Sequence, residues 1–265
     1  MSLSVIIPTL NAEAGLPACL ESLVPGAVDG LIREVIISDA GSSDATATIV
    51  EALGARLVHG ARGRGVQMIT GATSARGTWL LFLHADTSLA PGWVSDVRRH
   101  LSERVAHGGH RVSVFSLAFD EDGLAPTLVA GGAMLRTRLL KAPYGDQGLL
   151  IHRDDYAAIG GFAPIPLFED VDIIARVRRN FGRRAISVMR TRAVTSAARY
   201  RQDGYARRVL RNFLCVSLYR LGYAPEKILK IYHGNNRLPH ANPRSGSTLG
   251  AGAAPSNSRS RTERS

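Results

Sequence analysis

Cysteine is almost missing from this chain: Cys19 and Cys215 are the only two among 265 residues. They lie far apart and form no CxxC or CxxH pattern, which excludes a disulfide framework and a cysteine metal site and makes the cytoplasm the expected compartment. Also lacking is any apolar run of the roughly 18 residues that a membrane-spanning helix needs. The opening Met1-Ser2-Leu3-Ser4 carries no basic leader, and Pro8 soon interrupts the apolar run behind it. That run is therefore expected to be a buried first strand and not a signal peptide. No helix-turn-helix, zinc-finger or aromatic ribonucleoprotein pattern occurs, so nucleic acid is not an expected partner.

What the chain has in excess is positive charge, +11 at neutral pH. Beyond Asn235 the balance is +4, and between Ala198 and Lys230 eight basic residues against Asp203 and Glu226 leave +6. Such a distribution suits polyanionic partners, either a nucleotide diphosphate or an anionic membrane surface. The stretch 236–265 is Asn, Pro, Arg, Ser and Gly with hardly any large apolar residue. It cannot bury enough to offset ordering entropy and is expected to be a disordered basic tail behind a single domain over 1–235.

Within that domain, short β-branched runs alternate with helical patterns. Val5-Ile6-Ile7, Val35-Ile36-Ile37, Arg56-Leu57-Val58 and Trp79 to Leu83 read as strands, with helices over Ala14 to Leu23 and from near Asp44. Apolar runs without alternation belong to strands covered on both faces, which predicts an α/β fold with a mostly parallel sheet flanked by helices. The second half is less regular. Val112 to Phe119 alternates like an antiparallel strand, Leu149 to His152 resembles another, and Asp170 to Asn180 and Tyr205 to Leu221 read as C-terminal helices. The last of these carries Val209, Leu210, Phe213, Leu214 and Leu218 on a broad face expected to pack on the sheet. Its Arg207, Arg208 and Arg211 are the candidates to reach lipid phosphates if the helix instead lies on an anionic membrane.

Ligands of such sheets sit at the carboxyl ends of the strands, so the polar residues there are the candidate site. The second strand ends in Ser38-Asp39-Ala40-Gly41-Ser42-Ser43-Asp44. Asp39 can accept hydrogen bonds from a base or ribose, while Asp44 suits a helix cap. The fourth strand runs into His84-Ala85-Asp86-Thr87. A carboxylate at the tip of a buried strand is costly unless a cation or donors meet it, and a divalent ion (Mg or Mn) shared with substrate phosphates would do so. The alternative for Asp86 is a cap on the helix starting near Pro91; His84 is either a ligand or a packed strand-end residue. Gly60-Ala61-Arg62-Gly63-Arg64-Gly65 matches no phosphate-loop fingerprint, but its arginines suit a diphosphate. Glu169, Asp170 and Asp172, behind Pro164 and Pro166, exceed what a helix first turn needs, and one of them can serve as general base toward an acceptor hydroxyl.

Taken together, Ser4-Val5-Ile6-Ile7-Pro8-Thr9-Leu10-Asn11 and Glu34 to Asp44 resemble the opening of family 2 glycosyltransferases. Leu83 to Thr87, Pro143-Tyr144-Gly145-Asp146-Gln147-Gly148 and Pro166 to Val171 are similar to a bacterial subgroup known as arsenosugar-biosynthesis-type glycosyltransferases. The likeness runs from Ser4 to about Tyr232. It implies the GT-A fold and an inverting hexosyltransferase that uses a nucleotide-sugar donor, typically UDP-linked, toward a small-molecule or lipid hydroxyl acceptor. It implies that Asp39 recognises the base, that Arg64 contacts the nucleotide, and that Asp86 matches the last acid of the metal- and diphosphate-holding DxD element. Pro8, Thr9, Gly145 and Asp146 join the nucleotide-sugar-binding set, with Gly145 to Gly148 lining the sugar or acceptor pocket. Asp170, with Glu169 beside it, matches the acid that activates the acceptor.

The chain departs from the pattern in three places. His84 stands where DxD has its first Asp, Ile69-Thr70 replaces the usual Asn-Ala, and the QxxRW element of processive synthases is absent, with Arg199-Tyr200 only a partial echo. A single transfer is therefore expected rather than polymerisation. Two other readings are a non-catalytic nucleotide-sugar-binding protein and a sugar-phosphate nucleotidyltransferase. The latter wants a Gly- and Arg-rich loop behind the first strand, where this chain has Pro8-Thr9-Leu10-Asn11-Ala12-Glu13.

Overall fold

The computed structural model describes residues 2–107 and 112–233. The chain divides after Tyr232 into two units, and the first, Met1–Tyr232, carries all the described strands. The expected basic tail over 236–265 lies outside the described residues.

Strands β1 (Leu3–Thr9), β2 (Ile32–Asp39), β3 (Arg56–His59) and β4 (Trp79–Phe82) are parallel neighbours in the order β3-β2-β1-β4. Helices α1 (Leu16–Val28), α2 (Thr46–Ala52) and α3 (Arg64–Ser74) connect them. The apolar runs of β1 and β4 are buried on both faces, as their lack of alternation requires, and β2 is buried from Ile36 on, whereas β3 at the sheet edge is exposed at its ends and half-buried between them. Val5, Ile7, Leu81 and Leu83 pack with Leu16, Cys19 and Leu23 of α1 and with Trp93 and Val97 of α4 (Trp93–His107). On the opposite face Ile6, Ile36, Leu80 and Phe82 meet Met68 and Ala72 of α3 and Ile173, Ile174 and Val177 of α7 (Glu169–Phe181). Both cysteines are buried and unpaired.

Beyond β4 the sheet becomes mixed. β5 (Thr87–Leu89), β6 (Val112–Phe119), β7 (Leu149–His152) and β8 (Ile186–Thr195) complete eight strands in the order β3-β2-β1-β4-β7-β6-β8-β5. β7 is antiparallel to β4 and to β6, whereas β6 and β8 are parallel. The expected antiparallel character of Val112 to Phe119 thus holds only toward β7. Since β5 follows Asp86 directly and pairs with β8, Asp86 does not cap a helix.

Helices α5 (Leu124–Leu140), α6 (Arg153–Ala158), α8 (Ala198–Asp203), α9 (Tyr205–Arg220) and α10 (Pro225–His233) complete the described elements. The apolar face assigned to α9 does not pack on the sheet: Val209, Leu210, Phe213 and Leu214 are exposed, and the face that packs inward is Arg208, Cys215 and Val216. Sequence periodicity finds an apolar stripe but does not say which side of a helix the chain covers. Nor are all three arginines free to reach lipid. Arg208 and Arg211 both pair with Asp203 at 3.1 Å, and only Arg207 is exposed.

The contact of α3 with the sheet is close enough to demand a glycine. A Cβ on Gly71 would lie 2.3 Å from Cγ2 of Ile6. Gly71→Ala is expected to destabilise the protein by about 1–3 kcal/mol through overpacking, read as a lower urea midpoint with an unchanged slope.

Candidate active site

The parallel register places the ends of three strands side by side, with Thr9 opposite Asp39 and Asp39 opposite His59. Asp39 is buried there and fully engaged. Its Oδ1 accepts from Thr9 Oγ1 at 2.8 Å and Ser42 Oγ at 2.5 Å, and its Oδ2 from the Gly41 and Ser42 amides at 2.9 and 2.8 Å. Burial opposes ionisation, but these four donors outweigh it and hold the carboxyl below its ordinary range. Four donors fill the acceptor sites of a carboxylate, so Asp39 shapes the loop after β2, and a base reaches it only by displacing one of them. Asp44 accepts from the Thr46 amide and from the Glu13 amide, but it lies one residue before the cap of α2, which is Ala45 and not Asp44 as expected.

A residue that sequence reasoning missed ties these loops together. Gln67, buried on α3, donates from Nε2 to the carbonyls of Thr9 at 2.7 Å and Ser38 at 2.8 Å. Pro8 sits half-buried one residue earlier on β1, opposite Ser38. Gly65 allows the 163–165 segment to close over α3, since a Cβ there would lie 2.2 Å from the Ala163 carbonyl oxygen. Asp86, just past β4, is half-buried, and among the described residues its carboxylate accepts no hydrogen bond and forms no ion pair.

The acids of the second half gather at a different place. A cavity open to solvent has apolar walls that include Met68, Phe82, Phe162 and Ile173, and its polar lining comes from His84, Gly145, Glu169 and Asp170. The Gly145 amide donates to Asp170 Oδ2 at 2.7 Å, and the Val171 amide to Oδ1 at 2.8 Å. Glu169, 2% exposed, pairs with Arg64 Nη1 at 3.4 Å. Burial, reinforced by Asp170, raises the Glu169 pKa even though Arg64 pulls the other way. Arg64 is correspondingly held cationic: burial works against its charge, but Glu169, Asp170 and Asp146 override it.

His84 Nδ1 lies 3.4 Å from Asp146 Oδ1. A Cβ on Gly145 would lie 2.7 Å from His84 Nε2, a buried atom with no hydrogen-bond partner among the described residues. Only glycine lets the 145–148 turn come this close. Gln147 locks the turn from inside, accepting from Thr137 Oγ1 and donating to the Phe115 carbonyl. Phe168, immediately before the two acids, has φ of 69°, a conformation that costs a bulky residue about 1–3 kcal/mol. Its burial and its stack on Tyr219, with centroids 4.7 Å apart, hold it there. The start of α7 is thereby turned so that Glu169 and Asp170 line the cavity.

The predicted residues thus fall into two sets. Pro8, Thr9 and Asp39 cluster at the ends of β1 and β2, with Asp86 past the end of the neighbouring β4. Gly145, Glu169 and Asp170 line the cavity, with Asp146 against the lining residue His84 and Arg64 bridging from α3 to Glu169. Whether a divalent ion fits can be tested on these groups. Among the described residues no three His, Cys, Asp or Glu side chains form a metal cage, and His84 is turned to Asp146. The unengaged Asp86 carboxylate still fits an ion whose other ligands are phosphates and water.

Asp146 has the largest depression among the site's carboxyls. Burial opposes it, but His84 and then Arg64 and Arg199 draw the pKa down to about 2. A folded pKa below the unfolded one adds stability that is present above the ordinary Asp range and is lost as pH falls toward about 2. Asp146→Asn is therefore expected to flatten the acid limb of stability in urea titrations between about pH 4 and 2.

With this geometry in hand, similarities to known proteins are informative. Over 93 residues the chain is 45% identical to a PGL/p-HBAD biosynthesis glycosyltransferase of Mycobacterium bovis, a match covering 32% of this chain and 36% of the relative's length. Over 57 residues it is 44% identical to the glucosyl-3-phosphoglycerate synthase of Mycobacterium tuberculosis, covering 22% of this chain and 17% of that one. The crystal structure of that synthase in complex with Mn2+, UDP and glucosyl-3-phosphoglycerate superposes with a TM-score of 0.56 at 20% identity, covering 80% of this chain and 78% of that chain. The complex with Mn2+, UDP-glucose and glycerol 3-phosphate gives 0.53 at 22% identity, over 71% and 69% of the two chains. These likenesses establish the GT-A fold. Residues 4–141, just over half of the chain, match the model of glycosyl transferase family 2, and the chain belongs to that family.

Proposed function

We propose that this chain transfers one sugar, with inversion, from a nucleotide-sugar donor to an acceptor hydroxyl. The observation that carries the proposal is the placement of Asp170. It lines the cavity, with Oδ2 held by the Gly145 amide at 2.7 Å, while the adjacent Glu169 is engaged by Arg64. One acid is thus ion-paired, and the other remains the group to take a proton. A UDP-linked donor fits the mycobacterial synthase, whose structures hold UDP or UDP-glucose with Mn2+.

In this mechanism the nucleotide lies along the ends of β1 and β2, against Pro8, Thr9 and the loop that Asp39 shapes. Arg64 offers the diphosphate a fixed positive charge. Asp86 would hold a divalent ion, which when bound supplies charge neutralisation to the phosphates. Asp170 accepts the proton of the acceptor hydroxyl as its oxygen attacks the anomeric carbon. The bond to the diphosphate oxygen breaks in the same step, and the electron pair leaves with the nucleotide. The acceptor is a hydroxyl compound, either a small molecule or a lipid, and the apolar cavity walls favour one with an apolar portion. No cavity residue favours the arsenosugar chemistry that the resemblance implied.

Asp170→Asn keeps the shape of the side chain and its bond from Gly145 but cannot take a proton. Turnover, read as nucleotide release from UDP-sugars with a panel of alcohols, is expected to fall by about 10²–10⁴-fold with donor affinity unchanged. Wild-type turnover in the variant would remove Asp170 from the role of base.

A further inference from the structure

We infer that helices α5 and α9 form a docking surface for an anionic lipid bilayer. The two helices touch, and each turns an apolar stripe to solvent. On α5 the stripe is Leu124, Leu128, Leu135 and Leu139, with exposures of 77, 64, 59 and 63%. The spacing repeats through Gly131 and Gly132, which meet no neighbouring atom, so the stripe runs the length of the helix on one side. On α9 it is Leu210, Phe213 and Leu214, exposed by 68, 70 and 47%, followed by Leu221 at 76%. Single exposed leucines are ordinary, but a stripe of this kind on each of two touching helices marks an interaction surface.

Charge selects the occupant. Arg138 on α5 and Arg207 and Arg220 on α9 are exposed, with Lys141 half-buried behind α5. Of the acids at the N-terminal end of α5, Asp120 accepts from the Ala197 amide and Glu121 pairs with Arg201, leaving Asp122 in solvent. Apolar stripes rimmed by basic residues match the interface of an anionic bilayer, where each Lys or Arg near the surface strengthens binding about fivefold. A second copy is a poorer match, because an isologous contact would bring these same cations together. The stretch 234–265 has only Leu238 and Leu249 as large apolar residues, too few to cover both stripes.

The surface adjoins the cavity. α5 leads through Lys141 into Pro143 and Tyr144 of the cavity wall, and Arg136 stacks on the Tyr144 ring at 3.5 Å. A protein seated this way would present its acceptor side to the membrane.

The test uses the full chain in vesicle flotation, with phosphatidylcholine alone and with phosphatidylglycerol added, and its readout is independent of donor binding and transfer. Binding is expected to be at least about tenfold tighter to the anionic vesicles and to weaken with salt. Leu128→Glu and the pair Leu210→Glu with Phe213→Glu are expected to abolish it while leaving circular dichroism, melting temperature and donor binding unchanged. Three results would overturn the inference: no preference for anionic vesicles, retained binding in the glutamate variants, or a wild-type dimer that Phe213→Glu converts to monomer.

Discussion

The molecule depends on the burial of β1, β2 and β4 on both faces. The buried parts of these strands are mostly apolar, with Ser4 met by Glu34, so the remaining polar chemistry collects where the strands end. Because β3, β2, β1 and β4 run parallel, those ends share one edge. Thr9, Asp39 and the segment from His84 to Asp86 lie there for that reason. Gln67 then bridges the ends of β1 and β2 from below. Its amide adds a second hydrogen bond to the Thr9 carbonyl, which also accepts from the Ala40 amide, and one to the Ser38 carbonyl, tying the two strand ends together.

The second constraint is electrostatic. Asp146, Glu169 and Asp170 lie close together, and burial and the neighbouring Asp170 raise the Glu169 pKa. The chain offsets this with three different partners: His84 for Asp146, Arg64 for Glu169 and the Gly145 amide for Asp170. Partner type separates the roles. Glu169 is ion-paired to Arg64, whereas among the described residues Asp170 is held by the Gly145 and Val171 amides. The positive φ of Phe168 belongs to the same device, since it turns the start of α7 toward the cavity.

Much of this was legible in the residues. The unalternating runs gave the doubly covered parallel strands, the polar residues behind them gave Thr9, Asp39 and Asp86 as candidates, and the acids near 146 and 170 came from the segments 143–148 and 166–172. Less was legible where meaning depends on distant contacts. Asp39 reads as a ligand group, yet Thr9, Gly41 and Ser42 occupy its oxygens, something only the folded loop displays. The pairing of His84 with Asp146 joins residues 62 positions apart, and no spacing rule announces it. Phe168 gives no hint of a left-handed backbone, because nothing but its stack on Tyr219 and its burial impose one. The apolar stripe on α9 was visible, but its side was not: periodicity reports a face, and only packing decides whether that face is covered.

The central claim, that the strand ends form a nucleotide-sugar site completed by Asp86, is tested most directly by calorimetric titration with UDP-, GDP- and dTDP-sugars, with and without Mn2+. The account predicts binding of UDP-sugars that Mn2+ strengthens and that loses its Mn2+ dependence in Asp86→Ala. Absence of binding by all three nucleotide classes, or an Mn2+ effect untouched by Asp86→Ala, would contradict it.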